Sequence, residues 1–421
     1  MDKFIINGRK VLKGELKVSG AKNASLALMP ASILAAGKSI LKNTPKLNDV
    51  FTMIKLLKHM GAEIEFGDHI ISINTGNIID QTAPYEHVKK MRASVYVLGP
   101  LLGRFGKAKV SLPGGCAWGP RPINLHLDAL KKMGVEINLV DGYIEANVNK
   151  LRGANIYFDI SSVGATGNTL MASVLAKGTT IINNAAIEPE IANLAQYLQK
   201  MGAKIDGIGT KTLTIEGVDD LHPVEMDTIP DRIEAGTMLI AVALTNGLIT
   251  LKDISPDLLS AVLVKLEAAG CKIQVTSNQI ILDASNLEII PTNVSTSIFP
   301  GFPTDMQAQW TAFMSLANGA SYVKDTIYFD RFKHVPELVR LGANITINEN
   351  VAIIKGSKEL YGAKVMSTDL RASASLVLAG LAAKGTTEVL RVYHLDRGYQ
   401  RIEQKLRLLG ADIIREAGQE Y

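Results

Sequence analysis

Residues 56–64 read L-L-K-H-M-G-A-E-I, and this phrase decides the fold because the chain repeats it. The related phrases are A-L-K-K-M-G-V-E-I at 129–137, Y-L-Q-K-M-G-A-K-I at 197–205, K-L-E-A-A-G-C-K-I at 265–273, E-L-V-R-L-G-A-N-I at 337–345 and K-L-R-L-L-G-A-D-I at 405–413. A glycine that closes an amphipathic stretch is typical of a helix end, and the alternation behind it predicts a strand. Six copies of one unit, each about 70 residues long, therefore account for the chain.

A second glycine in each copy closes a more apolar helix upstream of the phrase. These glycines are Gly37, Gly106, Gly178, Gly247, Gly319 and Gly385. Helices that are rich in alanine and apolar on nearly all sides, such as residues 24–37, are typical of burial between layers, whereas the amphipathic helix belongs outside. Each copy therefore predicts a β-α-β-α-β-β unit, and three units around shared buried helices predict one α/β domain.

The chain ends indicate where each domain closes. The sixth copy stops without a hairpin, and residues 4–18 match the spacing of residues 352–365. We therefore expect residues before about Gly20 to complete the sixth unit. This organisation predicts a domain of residues 22–229 and a second domain of residues 1–21 and 230–421, with a hinge near residues 20–22 and 229–231.

The charge distribution excludes several classes of protein. The net charge of +4 comes from scattered Lys and Arg without a run of five or six, so no nucleic-acid-binding arm and no membrane-binding helix is indicated. A mild preference for anionic ligands follows. No stretch approaches the roughly 18 apolar residues that span a bilayer, and the N-terminus has no apolar signal core, so we expect a cytoplasmic protein. The sequence identifies no protein partner.

Motifs for cofactors and metals are missing from the sequence. There is no phosphate-binding loop of the G-x-x-x-x-G-K type, and G-I-G at 207–209 lacks the context of a dinucleotide site. The seven histidines show no metal-ligand spacing. We therefore expect neither a cofactor nor a metal, and the chemistry must come from Cys, Lys, Arg and carboxylates.

The stretch L-P-G-G-C-A-W-G-P-R-P-I-N-L at 112–125 is the candidate for that chemistry. Its glycines and prolines predict a loop, so the thiol of Cys116 should be exposed beside Trp118 and Arg121. A turn that merely holds a cysteine is the alternative, although these neighbours favour a reactive thiol. Cys271 occupies a position that holds alanine or valine in the other copies, which predicts packing in the core.

Polar residues stand at the starts of the buried helices, where an apolar core would not favour them. They are Lys22, Asn23, Arg92, Thr166, Asn168, Asp231, Arg232, Glu234, Asp305, Gln307, Asp369 and Arg371. Parallel helices gather their N-termini on one face of each domain, and such faces favour anions. Two faces opposed across a hinge predict a cleft for an anionic substrate.

The individual residues also have simpler interpretations. Asp231, Asp305 and Asp369 are suitable helix caps, and Lys22 or Arg92 alone is an ordinary solvated charge. The cations favour anion binding because several gather at predicted loops and helix starts, and guanidinium groups match carboxylate and phosphate. These cations are Lys22, Arg92, Arg121, Arg371 and Arg397.

With these residues identified, the sequence closely resembles the bacterial enolpyruvyl transferases that act on UDP-N-acetylglucosamine. The matching motifs are S-G-A-K-N-A at 19–24, M-R-A-S at 91–94, L-P-G-G-C at 112–116, G-P-R-P at 119–122, S-V-G-A-T at 162–166, F-P-T-D-M-Q-A-Q at 302–309, D-L-R-A-S-A-S at 369–375 and H-L-D-R-G-Y at 394–399. The resemblance covers the whole chain. It implies a two-domain inside-out α/β barrel with three repeats in each domain.

The resemblance also implies a reaction in which a sugar hydroxyl adds to phosphoenolpyruvate and phosphate then leaves. Cys116 would be the general acid and could hold a covalent adduct, Asp305 would take the hydroxyl proton, and Asn23 would stabilise the tetrahedral species. Phosphoenolpyruvate would be bound by Lys22, Asn23, Arg121, Arg371 and Arg397, with Lys22 and Arg397 also catalytic. The nucleotide sugar would contact Arg92, Arg121, Pro122, Ile123, Asn124, Leu125, Ser162, Val163, Gly164, Asp305 and Ile327. The residues Glu188, Asp231 and Asp369 would line the cleft.

Two departures and two alternatives remain. Relatives often have aspartate at Asn124, and some have lysine at Ile160, so the isoleucine of this chain removes a possible phosphate contact. The shikimate-pathway transferase has the same implied fold and cosubstrate, although the Cys116 loop argues against it. A non-catalytic ring of six repeats around nucleic acid is the other alternative, and it does not explain why carboxylates share the helix starts with cations.

Overall fold

The structure is a computed structural model that describes residues 2–89, 91–112 and 123–417. Contacts between residues divide the chain into two compact units. We call residues Gly20–Ile229 the N-domain, and Met1–Ser19 with Pro230–Tyr421 the C-domain. The chain passes between the domains at residues 19–20 and 229–230. That these two crossings act as a hinge remains a prediction.

Helices of two kinds alternate along each domain, as the repeat predicts. In chain order they are α1 (Lys22–Ala31), α2 (Asn48–His59), α3 (Tyr85–Val88), α4 (Leu98–Phe105), α5 (Asn124–Lys132), α6 (Val163–Ser173), α7 (Pro189–Lys200), α8 (Arg232–Leu244), α9 (Ser260–Ala268), α10 (Gln307–Met314), α11 (Val335–Arg340), α12 (Leu370–Ala382) and α13 (Ile402–Leu408). Five 3-10 turns are also described, at Ser32–Leu34, Arg92–Val97, Pro256–Leu259, Thr304–Met306 and Val392–Arg397. Helices α6, α8, α10 and α12 are buried on nearly all sides, whereas α2, α5, α9 and α13 bury one side.

The strands are short and come in sets of four. In chain order they are β1 (Lys3–Asn7), β2 (Lys13–Lys17), β3 (Lys38–Lys42), β4 (Glu63–Gly67), β5 (Ile70–Asn74), β6 (Thr82–Ala83), β7 (Lys107–Ser111), β8 (Glu136–Val140), β9 (Tyr143–Asn147), β10 (Asn155–Tyr157), β11 (Thr179–Asn183), β12 (Lys204–Asp206), β13 (Thr212–Glu216), β14 (Glu225–Asp227), β15 (Leu248–Lys252), β16 (Lys272–Val275), β17 (Gln279–Asp283), β18 (Val294–Ser295), β19 (Ala320–Lys324), β20 (Asn344–Asn348), β21 (Val351–Lys355), β22 (Lys364–Met366), β23 (Thr386–Leu390) and β24 (Asp412–Glu416).

Within the described residues these strands form six four-stranded sheets, one for each predicted repeat. Their orders are β14-β3-β5-β4, β6-β7-β9-β8, β10-β11-β13-β12, β16-β17-β15-β2, β18-β19-β21-β20 and β22-β23-β1-β24. In β10-β11-β13-β12, for example, β10 runs parallel to β11, and the hairpin of β12 and β13 joins it antiparallel. The predicted β-α-β-α-β-β unit is therefore confirmed.

The chain ends differ from the sequence prediction in one strand. Strand β1 completes the sixth sheet between β23 and β24, as expected. Strand β2 does not belong there, because it pairs in parallel with β15 and opens the fourth sheet. The reason is that β15 follows a buried helix and needs a parallel neighbour, while the strand before that helix, β14, pairs with β3 in the N-domain.

Backbone geometry explains why glycine recurs in the repeated phrase. All six glycines of the phrase have φ between 92° and 112°, a region that residues with a side chain rarely adopt. They are Gly61, Gly134, Gly202, Gly270, Gly342 and Gly410. The glycines that close the buried helices also have positive φ, with the exception of Gly247. There the preceding residue, Asn246, takes the left-handed conformation instead, with φ of 54°.

Each domain has a hydrophobic core of its own. The N-domain core includes Leu28, Met29 and Leu170 from buried helices, and the C-domain core includes Trp310 and Leu376. Polar side chains stand in the first turns of these buried helices, for example Lys22 and Asn23 in α1 and Arg371 in α12. Those first turns carry the candidate functional residues.

Candidate active site

The N-domain places Lys22 and Asn23 in the first turn of α1, as the sequence predicts. The Lys22 Nζ atom lies 3.2 Å from Oδ2 of Asp49, which stands in the first turn of α2. The two side chains are only 14 % and 6 % exposed. Asn23 is exposed. The amine proposed to hold an anion is thus held by a nearly buried carboxylate.

Three segments proposed to bind the nucleotide sugar come together in the N-domain. Arg92 begins the turn Arg92–Val97, and within that turn the Tyr96 hydroxyl donates to the Val163 carbonyl at 3.4 Å. Val163 begins α6, which Ser162 caps by accepting from the amide of Ala165 at 3.3 Å. Helix α5 packs against α6, so its first residues lie close to the same end. These segments therefore lie close together, and their contact with a nucleotide sugar remains a prediction.

His126 joins these segments through Asn168, which is fully buried in α6. The Asn168 amide accepts from the amide of Gly99 at 2.6 Å and donates through Nδ2 to the Val95 carbonyl at 2.9 Å. The remaining Nδ2 proton points to Nδ1 of His126 at 3.0 Å, which makes that ring nitrogen an acceptor. Burial, with a further contribution from the positive charge of Arg92, lowers the pKa of His126 to about 4, so the imidazole is neutral.

The C-domain places Asp305 between two arginines. The Asp305 Oδ1 atom accepts from Nη2 of Arg331 at 2.8 Å, and Oδ2 accepts from Nη2 of Arg371 at 2.8 Å. The two arginine side chains are 8 % and 6 % exposed, against 28 % for Asp305. One carboxylate therefore neutralises only part of the charge of two nearly buried guanidinium groups.

The contacts between Asp305 and the two arginines shift the pKa values of Asp305 and Arg371. Burial alone would raise the pKa of Asp305, but the charges of Arg371 and Arg331 outweigh burial and hold the pKa well below its ordinary value. For Arg371 burial would lower the pKa, whereas the carboxylate of Asp305 raises it above its usual range. Asp305 is thus ionised and is a weak base in this state.

A buried aspartate organises the loop that carries Arg331. The Asp325 carboxylate accepts from the hydroxyl of Thr296 at 2.8 Å and from the hydroxyl of Thr304 at 2.7 Å. Its Oδ1 atom also accepts from the amide of Ile327 at 2.9 Å. Arg331 in turn donates through Nη1 to the hydroxyl of Thr304 at 2.9 Å. Asp325 therefore supports both Arg331 and the proposed sugar contact Ile327.

The capping interpretation fits two of the three candidate aspartates. Asp231 accepts from the amides of Ile233 and Glu234 at 2.9 and 3.0 Å, and Asp369 accepts from the amides of Arg371 and Ala372 at 2.9 and 3.1 Å. Asp305 makes no such bond in its helix and binds arginines instead. Glu188 occupies the residue before α7 without capping it. A contact of Asp231, Asp369 or Glu188 with substrate remains a prediction.

Several polar helix-start residues lie inside the domains and not on an accessible face. Thr166, Asn168 and Gln307 are fully buried, and Glu234 is 3 % exposed. Thr166 accepts from the amide of Ala186 at 3.0 Å, and Glu234 pairs with Lys405. Thr166, Asn168 and Glu234 therefore serve internal contacts of the domains, as buried polar groups usually do, whereas the Gln307 side-chain amide makes no hydrogen bond among the described residues.

The remaining candidates divide into described and undescribed residues. Cys116, Trp118, Arg121 and Pro122 lie outside the described residues. Ile123 and Leu125 are partly exposed, Asn124 and Ile160 are exposed, and Gly164 lies in the first turn of α6. Arg397 ends the turn Val392–Arg397 and is partly exposed.

The predicted core position of Cys271 is confirmed. The residue is 5 % exposed and belongs to the C-domain core. Burial raises the pKa of its thiol to about 12, so the thiol is protonated near neutral pH. Cys271 is therefore unreactive by comparison with an exposed cysteine.

Sequence reasoning missed three residues of these clusters, namely Asp49, His126 and Arg331. None of the three stands at the start of a buried helix, which is the position by which the sequence identified the other candidates. Asp49 begins an outer helix, and His126 lies two residues after the candidate Asn124, which is the nearest sequence signal for it. Arg331 carries no local signal, since its partner Asp305 is 26 residues away.

Among the described residues there is neither a membrane-spanning helix nor a cluster that could hold a metal ion. No helix among them is both long and apolar enough to cross a membrane. In the same part of the chain, no group of three or more His, Cys, Asp or Glu side chains is arranged to hold a metal ion.

Comparison with known proteins places these residues in context. The profile of the EPSP synthase (3-phosphoshikimate 1-carboxyvinyltransferase) family matches residues 6–406. The chain is 59 % identical over 424 residues to a UDP-N-acetylglucosamine 1-carboxyvinyltransferase of Chloroherpeton thalassium, covering 100 % of this chain and 99 % of the relative. It is 55 % identical to the protein of the same name from Chlorobium limicola, with 100 % of both chains covered.

Solved structures agree at the level of the fold. The enolpyruvyl transferase NikO from Streptomyces tendae matches with a TM-score of 0.90 and 24 % identity, covering 99 % of each chain. An EPSP synthase from Acinetobacter baumannii matches with a TM-score of 0.77 and 18 % identity, covering 99 % of this chain and 100 % of the other. At these identities the likeness concerns the fold alone, and it confirms the α/β fold class expected from the repeats.

Proposed function

Because the chain belongs to the family of EPSP synthase (3-phosphoshikimate 1-carboxyvinyltransferase), we propose that it transfers the enolpyruvyl group of phosphoenolpyruvate to UDP-N-acetylglucosamine. The acceptor would be the 3'-hydroxyl of the sugar, and phosphate would be released. The observation that carries the proposal is the 59 % identity, over the full chain, to a relative named for this acceptor.

The proposed chemistry has two steps. In the addition, the 3'-oxygen bonds to C2 of phosphoenolpyruvate, its proton passes to Asp305, and Cys116 donates a proton to C3. In the elimination, the Cys116 thiolate would take a proton from C3, the double bond would return as the C2–oxygen bond to phosphate breaks, and the leaving phosphate would carry away the proton held by Asp305. Asn23 would stabilise the tetrahedral adduct with its exposed amide.

The cations proposed to hold phosphoenolpyruvate are Lys22, Arg121, Arg371 and Arg397. Support comes from the C-domain, where Arg331 and Arg371 are nearly buried and share one carboxylate. Counting only these three side chains, one positive charge remains, which favours a carboxylate or phosphate of the substrate. Because of this remaining charge, we add Arg331 to the cations proposed to hold phosphoenolpyruvate.

The same cluster suggests how Asp305 becomes a useful base. While both guanidinium groups bind it, the pKa of Asp305 lies well below its ordinary value. An anionic substrate group on Arg371 would take part of that positive charge and bring a negative charge nearby, and both changes raise the pKa of Asp305. The carboxylate would therefore gain basicity when phosphoenolpyruvate is present.

The nucleotide sugar is proposed to bind along the N-domain segments that lie together. Arg92, Ser162, Val163 and Gly164 stand at the starts of the Arg92–Val97 turn and of α6, where amides and a guanidinium suit a diphosphate. Residues 121–125 would complete this site, and Ile327 is a further proposed contact of the sugar. Glu188, Asp231 and Asp369 would line the space around the substrates.

The test of this proposal is phosphate release from phosphoenolpyruvate by the purified protein. Release is expected with UDP-N-acetylglucosamine and not with shikimate 3-phosphate. The second acceptor is the alternative that the description of the family favours. Release with shikimate 3-phosphate alone would replace the proposed acceptor, and release with neither would end the proposal.

The two cysteines supply a matched test of the general acid. Cys116→Ala should lose at least about 100-fold in turnover, the usual scale of general acid–base catalysis. Cys271→Ala should keep wild-type turnover, because alanine fills the same position in other repeats. A thiol-alkylating epoxide such as fosfomycin should inactivate the wild type and Cys271→Ala but should not modify Cys116→Ala. Full turnover of Cys116→Ala would refute the acid role.

We also propose that the product enters peptidoglycan synthesis as its first committed intermediate and that the reaction takes place in the cytoplasm. Cells depleted of this protein should accumulate UDP-N-acetylglucosamine and lose cell-wall precursors. Unchanged precursor levels after depletion would contradict this assignment.

A further inference from the structure

The segment that carries Arg397 has an unusual backbone at both of its ends. Arg391 and Arg401 adopt positive φ values of 58° and 46°, and neither is a glycine. Residues with a side chain adopt this conformation at a cost, so the surroundings must hold the backbone in place. The segment between them includes the turn Val392–Arg397.

One group that holds the segment is an ion pair beside Arg397. The neighbouring Asp396 accepts two hydrogen bonds from Arg415, from Nη1 at 3.0 Å and from Nη2 at 2.5 Å. This fork fixes both the position and the orientation of the carboxylate. Arg415 lies in β24, and its side chain is 16 % exposed.

Arg415 is itself surrounded by negative charge. Besides Asp396, the carboxylates of Asp2 and Glu403 lie 3.4 and 3.5 Å from its guanidinium group, which also stands over the ring of Phe4 at 5.1 Å. Burial would lower the pKa of Arg415, but these carboxylates raise it. Removing this one cation would leave three carboxylates close together and would take away the fork that fixes Asp396.

Another set of bonds holds the segment on the far side of Arg397. Tyr399 is 1 % exposed, and its hydroxyl bonds to the hydroxyl of Thr237 at 2.9 Å and to Nε2 of Gln309 at 3.1 Å. The guanidinium group of Arg371 stands over the tyrosine ring at 5.4 Å. The backbone of Arg397 is therefore held between Asp396 and Tyr399.

We propose that Arg415 is a positioning residue which, through Asp396, sets where the Arg397 guanidinium group stands when phosphoenolpyruvate binds. The inference rests on the proposed function. Arg415 belongs to the strand at the C-terminal end of the described chain and is not a proposed substrate contact. Its loss should weaken binding of phosphoenolpyruvate, because Arg397 would no longer be placed in advance. Binding of the nucleotide sugar through Arg92 and α6 should be unaffected.

The test compares Michaelis constants of variants for the two substrates. Arg415→Met and Asp396→Asn should each raise the KM for phosphoenolpyruvate on the order of 10-fold and change the KM for UDP-N-acetylglucosamine by less than about 2-fold. Arg415→Lys keeps the charge but loses the fork, so its KM should lie between those of Arg415→Met and the wild type.

Arg9→Met is the matched control, because it removes the same side chain from another ion pair of the C-domain. Arg9 bonds to Glu359 at 2.5 Å, and its side chain is 48 % exposed. We expect this variant to keep both KM values. If Arg415→Met does not fold, Asp396→Asn carries the test, since asparagine keeps the shape of the side chain.

The outcomes separate the inference from the function on which it rests. A wild type that releases phosphate, with an Asp396→Asn variant whose KM for phosphoenolpyruvate is unchanged, would overturn the positioning role alone. Equal increases in both KM values would also overturn it, since they would indicate a general loss of structure. A wild type that releases no phosphate with either acceptor would end both proposals.

Discussion

Lys22 in the N-domain and Arg371 in the C-domain stand at corresponding places, yet their charges are neutralised differently. Each lies in the first turn of a buried helix and contacts an aspartate. Lys22 meets Asp49 at 3.2 Å, in a pair without net charge. Arg371 shares Asp305 with Arg331, so two guanidinium groups bind one carboxylate, and the carboxylate of Asp231 also acts on Arg371.

The difference shows that the same repeated unit can place a cation either beside its own carboxylate or beside a carboxylate that it shares with a second cation. A lysine beside its own carboxylate is a placed but largely compensated charge, whereas two guanidinium groups on one carboxylate retain attraction for an anion. The second arrangement also couples the base to the anion site, because the same arginines set the pKa of Asp305. The following experiments change one partner at a time, from the largest expected effect to the smallest.

Asp305→Asn should give the largest effect. Asparagine keeps the shape of the side chain but cannot take the hydroxyl proton, so turnover should fall by about 100- to 10,000-fold. The measurement is steady-state phosphate release with both substrates saturating. Asp49→Asn is the companion in the N-domain and should lose less than about 10-fold. If the two variants lost turnover equally, Asp305 and Asp49 would not differ in their role in catalysis.

Arg331→Met should mainly affect stability. It removes the hydrogen bonds that a nearly buried guanidinium group donates to Asp305 and Thr304, and bonds of charged groups are worth about 1.5–3 kcal/mol each, so the free energy of unfolding should fall by about 3 kcal/mol. Arg9→Met is the control, because Arg9 is 48 % exposed and pairs with Glu359 at 2.5 Å, and it should lose less than about 1 kcal/mol. Denaturant unfolding measures both, and a loss as small as that of the control would mean that the Arg331 bonds add little.

Asp49→Asn should have a smaller effect on stability than Arg331→Met. The variant keeps a side-chain oxygen near Lys22 but loses the ion pair and the charge in the first turn of α2, so we expect a loss of about 1 kcal/mol. The same unfolding experiment gives the value. A loss above that of Arg331→Met would show that the compensated pair is the more strongly stabilising one.

The smallest effect concerns pH. Since the pKa of Asp305 is depressed in the folded protein, its charge stabilises the fold above the unfolded pKa of about 3.9 and this contribution is lost as the pH falls towards the folded value. The stability difference between wild type and Asp305→Asn should therefore be constant from about pH 8 to pH 5 and shrink below about pH 4. A difference that shrinks already above pH 5 would contradict the depressed pKa.

Much of the fold could be read from the chain, and less of the candidate site. The phrase glycines and the two helix types predicted the units, because helix ends and burial leave a local pattern in each copy. Strand β2 was placed in the wrong sheet, since strand pairing across a chain end has no local signal. Lys22 and Asp305 were found by their positions, but which charges contact them was not.

The sequence by itself therefore determined six α/β units, their buried and outer helices and the core position of Cys271. Tertiary structure alone decided that Asp305, unlike the helix caps Asp231 and Asp369, binds two arginines, one 26 and one 66 residues away. The physical reason is the separation in sequence of the residues that interact. A helix end or an amphipathic face depends on residues within a few positions, whereas a salt bridge depends on which separate elements the packed core brings within about 3 Å.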